Sequence, residues 1–196
     1  MTHDTHEDKQ TQFNEFFTIE HKFNINARPI KDIPSFEGFL ASMPLPFKLA
    51  SDIVSLDSAA LRPLNQLDAV ASLLVDYLNH QSKKIDLLLG FVLSQQDSEE
   101  HRYQGVRFGG GGIEFESNEA FKVEQFIELK IFFPEENVAI FCIGEVFEIQ
   151  NKEDDSYQHK VILHHIRDDD RELLVRTSLH LQSKQLQSLA AKRRKE

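Results

Sequence analysis

Along the first third of the chain, apolar and polar positions alternate over one short stretch. Phe17, Ile19, His21, Phe23 and Ile25 interleave with Thr18, Glu20, Lys22 and Asn24. A period of two predicts a half-buried strand. The residues before it, 1–12, are polar, charged and histidine-bearing, and read as a disordered tail. After it, Pro29, Pro34, Pro44 and Pro46 exclude a long helix between residues 26 and 56. Residues 13–60 are therefore expected to form a β-rich or irregular N-terminal segment.

The period then changes. Leu64, Leu67, Ala71, Leu74, Leu78, Gln81, Ile85, Leu88, Val92 and Gln95 follow one another at alternating steps of three and four. Spacing of this kind sustained over several heptads is the pattern of a helix that packs on other helices. Pro63 fits a first helical turn, so the helix is placed at 61–97. At 1.5 Å per residue its length is about 50 Å, which overhangs a domain of this size. A second seam, Val70, Leu73, Tyr77, Lys84, Leu87 and Phe91, runs beside the first. The apolar face is thus wider than a two-stranded coil needs. Either the helix joins three or four strands, or one seam packs on its own domain. Gln81 and Gln95 in the seam are suited to setting register.

Beyond a polar break at Ser98 to His101 the period of two returns. Tyr103 to Phe108 leads into Gly109–Gly112, and Ile113 to Phe115 follows. Ile127, Leu129, Ile131 and Phe133 alternate with Glu128, Lys130 and Phe132. Val138 to Ile149 is apolar on both faces, and Tyr157 to Ile166 forms a last strand. Five or so strands with regular turns predict a small antiparallel barrel. Asp168, Asp169 and Asp170 open a C-terminal helix that closes on Lys192, Arg193, Arg194 and Lys195, a polarity that suits the helix dipole. The fold class is α+β: a small antiparallel β-barrel in residues 98–196 with a C-terminal helix, preceded by a long coiled-coil-forming helix.

Composition narrows the function classes. The 196 residues carry a formal net charge of −10, which argues against nucleic acid as a partner, because phosphate binding wants positive potential. The single cysteine, Cys142, lies in an apolar run and allows neither an internal disulfide nor a cysteine-based zinc site. No signal peptide pattern and no apolar run of membrane-spanning length is present, and a cytoplasmic location is expected.

Chemistry-bearing constellations are sparse. Gly109-Gly110-Gly111-Gly112 lacks the Gly-Lys-Ser/Thr ending of a phosphate loop and no helical pattern follows it, so a strand–turn–strand accounts for it. The nine histidines are scattered, and the adjacent His164 and His165 face opposite sides of a strand. No metal site, no catalytic residues and no cofactor are expected, and the chain is not expected to be an enzyme.

The segment YQGVRFGGGGIEFESNEAFKVEQFIELKIFF resembles the opening of a PilZ domain, FCIGEVFEI its Gly-x-Val strand and YQHKVILHHI the strand after it. KKIDLLLGFVL just before the domain resembles the long helix of the atypical, tetramer-forming PilZ proteins of bacteria. The resemblance spans residues 65–196. It implies a role in cyclic di-GMP-related signalling or motility, with cyclic di-GMP as the family's ligand. That ligand is held by an RxxxR lead-in and a D/N-x-S-x-x-G turn. Aligned on Gly112, the Asp/Asn position is Arg107 and the Ser position is Gly109, while Arg102 has no second arginine four residues on. Arginines clamp phosphates and stack on guanines, but the base-reading acceptor is missing.

Two functions follow. The first is a non-catalytic signalling or adaptor protein, a homo-oligomer, as a tetramer, that works by protein–protein interaction with an unidentified partner. Its interface would be Leu64, Leu67, Ala71, Leu74, Leu78, Gln81, Ile85, Leu88 and Val92. The alternative is a direct cyclic di-GMP receptor with a non-standard site at Arg102, Arg107, Gly109 and Gly112.

Overall fold

The alternating residues at the N-terminus form β1, Thr18–Pro29. In the computed structural model, which describes residues 5–50, 69–152 and 156–193, this strand is a stave of the barrel itself. Five further strands complete it: β2 (Arg102–Gly109), β3 (Gly112–Ser117), β4 (Phe126–Phe133), β5 (Val138–Asn151) and β6 (Tyr157–His165). All neighbours are antiparallel, and the barrel closes in the order β1-β2-β3-β6-β5-β4. The barrel therefore does not lie within 98–196, as the sequence pattern suggests. Its first strand comes from the 13–60 segment, and the long helix is inserted between β1 and β2. Strand periodicity marks β1 as half-buried but carries no information about which strands it will join.

Closure fixes the core. Ile25, Phe108, Ile113, Phe115, Leu129, Ile131, Ile140, Cys142 and Val161 point inward and are almost fully buried. At one end Phe23, Phe108 and Phe133 pack with centroid separations of 5.4, 5.1 and 4.5 Å. Gly105 makes room for them, since a Cβ there would lie 2.2 Å from the Phe23 ring. The thiol of Cys142 is buried in this core, which pushes its pKa far above the ordinary value.

The outer wall explains why β5 is apolar on both faces. Its inward residues join the core, while outward Ala139, Phe141 and Ile143 pack against Phe39, Met43, Phe47 and Leu93. Phe39 belongs to α2, Phe36–Ser42, which Ser35 caps by accepting from the Gly38 N–H. Phe47 lies in a helical run at 45–50. The 13–60 segment thus contains helix as well as strand. Its prolines limit helix length without preventing short helices.

Residues 6–12, expected in a disordered tail, form most of a short helix, α1 (His6–Asn14). Thr5 and Asp8 make a reciprocal capping box at its start, and Phe13, 2% exposed, anchors its end. Only that one apolar side chain is committed, which is why hydropathy alone misses the helix.

The heptad pattern gives α3, Ala69–Ser94, within the expected 61–97. Positions 61–68, with Leu64 and Leu67, lie outside the described residues, and side-chain surroundings in this helix are described from Leu74 onward. Leu89 and Leu93 attach its C-terminal end to β4 and β5. Gly90 allows close approach, because a Cβ there would meet Asn137 Oδ1 at 2.6 Å. The C-terminal helix α4, Asp168–Arg193, places Leu174 and Leu181 in the core. Its acidic start is more than a dipole match. Asp170 is buried and receives Arg167 Nε at 2.7 Å and Nη2 at 3.0 Å, and Nη2 also donates to the Phe47 carbonyl at 2.9 Å. Burial raises the Asp170 pKa while Arg167 opposes the rise. Among the described residues no helix is long and apolar enough to cross a membrane.

Candidate functional site

Two surfaces come from the sequence: the arginines and glycines of β2–β3, and the seam of α3.

On β2, a register shift between Gly105 and Arg107 lets Arg102 and Arg107 both face outward despite their odd spacing. Each is already engaged. Arg102 Nε lies 3.0 Å from both carboxylate oxygens of Asp97, and this hydrogen bond raises the guanidinium pKa further. Asp97 is itself held by Asn26 Nδ2 at 2.8 Å and Asn24 Nδ2 at 3.2 Å. Arg107 donates to Glu20 at 2.8 Å and to Glu114 at 3.4 Å. Glu114 is buried and takes a second donor, Gln158 Nε2, at 2.6 Å. These acceptors sit directly opposite Arg107 in the registers of β1 and β3. They become visible only once strand pairing is known.

The two arginines do not converge. Arg107 lines a cleft of about 490 Å³ in which Lys22 and Lys152 add two cations and Glu20, Glu114 and Glu116 supply three carboxylates. Arg102 lines another, of about 460 Å³, with Glu100, Glu116 and Glu119. The first set of ionic groups is balanced and the second is acidic. Neither offers the surplus of positive charge that a phosphodiester ligand requires.

The glycine turn is covered. A Cβ at Gly109 would meet the Phe17 carbonyl at 2.4 Å, and one at Gly110 would meet Val175 at 2.6 Å and Phe16 at 2.7 Å. One at Gly111 would meet the Gln12 carbonyl at 2.6 Å, and one at Gly112 the Val161 carbonyl at 2.4 Å and Phe13 at 2.5 Å. Gly109 and Gly112 thus sit beneath the chain's own residues 12–17. Nothing in the one-dimensional pattern links those residues to the turn.

On α3, Leu74, Ile85, Leu88 and Val92 of the first seam are exposed, while Leu78 and Gln81 are half-buried. The second seam is equally open: Tyr77, Leu87 and Phe91 are 59%, 64% and 66% exposed. Neither seam is the barrel contact. That role falls to Leu89, Gly90 and Leu93, which lie roughly a third of a turn from the first seam at 3.6 residues per turn. Ala71 occupies the same heptad, its side chain lying outside the described set.

Among the described residues no group of three or more histidine, cysteine, aspartate or glutamate side chains is placed to hold a metal ion.

No family model matches the chain, and no curated protein matches it. Solved structures do. The chain is similar to a tetrameric PilZ-domain protein of Xanthomonas campestris, described as self-assembled through an unusual helical bundle. The identity is 13% over 90% of this chain and 96% of that one, with a TM-score of 0.55. It is also similar to the Bacillus subtilis inhibitor of motility MotI/DgrA, at 11% identity over 87% of this chain and a TM-score of 0.47. The match spans about half, 51%, of that longer chain. The K. pneumonia protein MrkH in its apo state matches 48% of this chain and 43% of its own at 12% identity and a TM-score of 0.33. The six-stranded closed barrel with its long C-terminal helix is a PilZ-like α+β fold.

Proposed function

We propose that this chain is a non-catalytic signalling adaptor that assembles through α3 into a homo-oligomer, a tetramer, and works by binding proteins in the cytoplasm. The observation that carries this reading is the open apolar half of α3, where most described positions of two adjacent seams are exposed while a third set of residues holds the barrel. An apolar face of that breadth on a single helix is covered when each helix touches two neighbours, as in a four-helix bundle, and not when it touches one. Self-assembly of the Xanthomonas PilZ protein through a helical bundle supports the same arrangement here. The PilZ-like fold supports a role for this adaptor in a bacterial cyclic di-GMP-related or motility pathway.

Direct nucleotide binding is disfavoured by the carboxylates that hold Arg102 and Arg107 and by the covered glycine turn. Calorimetric titration with cyclic di-GMP, on a sample whose mass is measured by sedimentation, tests both parts. A tetrameric mass with no binding heat is expected. Micromolar affinity that vanishes in an Arg102→Ala, Arg107→Ala double variant would show a receptor instead.

A further inference from the structure

Part of the outer wall of β5 and β6 is an apolar and acidic surface covered by α1. Phe147 and Ile162 are 2% and 4% exposed, and both form a small cluster with Phe13 of α1, separate from the barrel core. The Phe13 and Phe147 rings lie 5.6 Å apart. Beside them Glu145 is 8% exposed, and its ion-pair partner is Lys9, one helical turn before Phe13. The glycine turn continues this surface. Bare backbone at Gly110, Gly111 and Gly112 receives Gln12, Phe13 and Phe16 at distances no side chain would allow. Arg171 closes the far side, donating to the Gly110 carbonyl and lying 5.8 Å from the centre of the Phe16 ring.

The cover, by contrast, is slight. α1 has nine residues, fewer than an isolated helix needs to be stable in water. Its remaining side chains are mostly polar and exposed. Three residues, Glu15 to Phe17, connect it to β1. A shaped receiving surface held shut by so short a cover is better suited to exchange than to permanent closure.

We infer that this surface of Glu145, Phe147, Ile162 and the glycine turn is a recognition site for a helical segment of a partner protein bearing a lysine and a phenylalanine one turn apart, and that α1 occupies it in cis until such a segment replaces it. The inference is independent of assembly through α3, which lies on a different set of residues. The cis helix acts as a competitor at high local concentration, so the apparent affinity of an incoming segment is lowered by the fraction of time the site is covered.

The test uses the full chain and a fluorescent peptide of residues 5–17, followed by anisotropy. The double variant Lys9→Ala, Phe13→Ala loosens the cover and leaves the receiving surface unchanged. It should bind the peptide at least about tenfold more tightly than the wild-type chain. A peptide with Lys9→Glu and Phe13→Ala should not bind. A folded double variant that fails to bind the wild-type peptide, or binds both peptides equally, overturns the inference. Should the variant unfold, hydrogen exchange on the wild-type chain decides. Amides of α1 should exchange at least about a hundredfold faster than those of β6, as expected for local opening, and equal protection overturns the inference.

Discussion

His159 makes a demanding test of how the barrel interior is organised. Its side chain is fully buried on β6, stacked at 4.9 Å on Phe115 and edge-on at 5.2 Å to Phe121. Nε2 accepts from the Phe121 N–H at 3.2 Å, and among the described residues Nδ1 has no hydrogen-bond partner. Burial holds the imidazole neutral, lowering its pKa from 6.5 to about 4. As the pH falls, the unfolded chain takes up a proton near 6.5, while the folded chain resists until about 4. Stability is therefore lost on acidification across that window and loses nothing further to this group below it. At about 1.4 kcal/mol per pKa unit, the loss between pH 7.5 and 4.5 is roughly 2–3 kcal/mol. His159→Phe removes the titrating group. It also strands the Phe121 N–H, so the variant should be about 1–3 kcal/mol less stable at pH 7.5, but its stability should depend less on pH by the amount above. Urea unfolding followed by circular dichroism, at both pH values and one protein concentration, measures the difference. Equal pH dependence in wild type and variant would refute the assignment of a neutral, desolvated His159.

Other outcomes follow from packing. Gly105→Ala places a methyl group 2.2 Å from the Phe23 ring and should destabilise the barrel by about 1–3 kcal/mol, read as a lower urea midpoint. Arg167→Ala leaves the buried Asp170 carboxylate without its partner and frees the Phe47 carbonyl. A loss of about 3–5 kcal/mol is expected, partly recovered by adding Asp170→Asn. Leu93→Ala opens the contact between α3 and the barrel and should cost about 2–5 kcal/mol, with far less effect on any assembly made through the exposed seams of the helix.

Much of the barrel was legible because its strands keep a strict period of two and its turns are marked by glycine, proline or charge. The β5 run, apolar on both faces, announced a strand covered on its outer side as well, although not what covers it. The role of β1 was hidden, since pairing between residues 18–29 and strands some hundred positions later leaves no local trace. α1 was hidden for another reason. It is held by a capping box, the Lys9–Glu145 ion pair and one anchored phenylalanine, too little apolar content for a periodicity signal. For the site residues, the sequence placed Arg107 on the right strand and Arg102 in the lead-in just before it, where the strand in fact begins. Their neutralisation by Asp97, Glu20 and Glu114 depends on register and bulges that only three-dimensional pairing defines. The helix α3 was legible, because a three–four spacing of apolar residues is local to one element and needs no distant pairing.

Assembly through that seam is the central claim, and a mass measurement tests it most directly. Sedimentation equilibrium of the wild-type chain should give four times the 22.7 kDa chain mass. A variant carrying Leu74→Glu, Leu78→Glu and Leu88→Glu should sediment as a folded monomer of 22.7 kDa. A monomeric wild type, or a variant whose mass equals that of the wild-type assembly, would contradict the account.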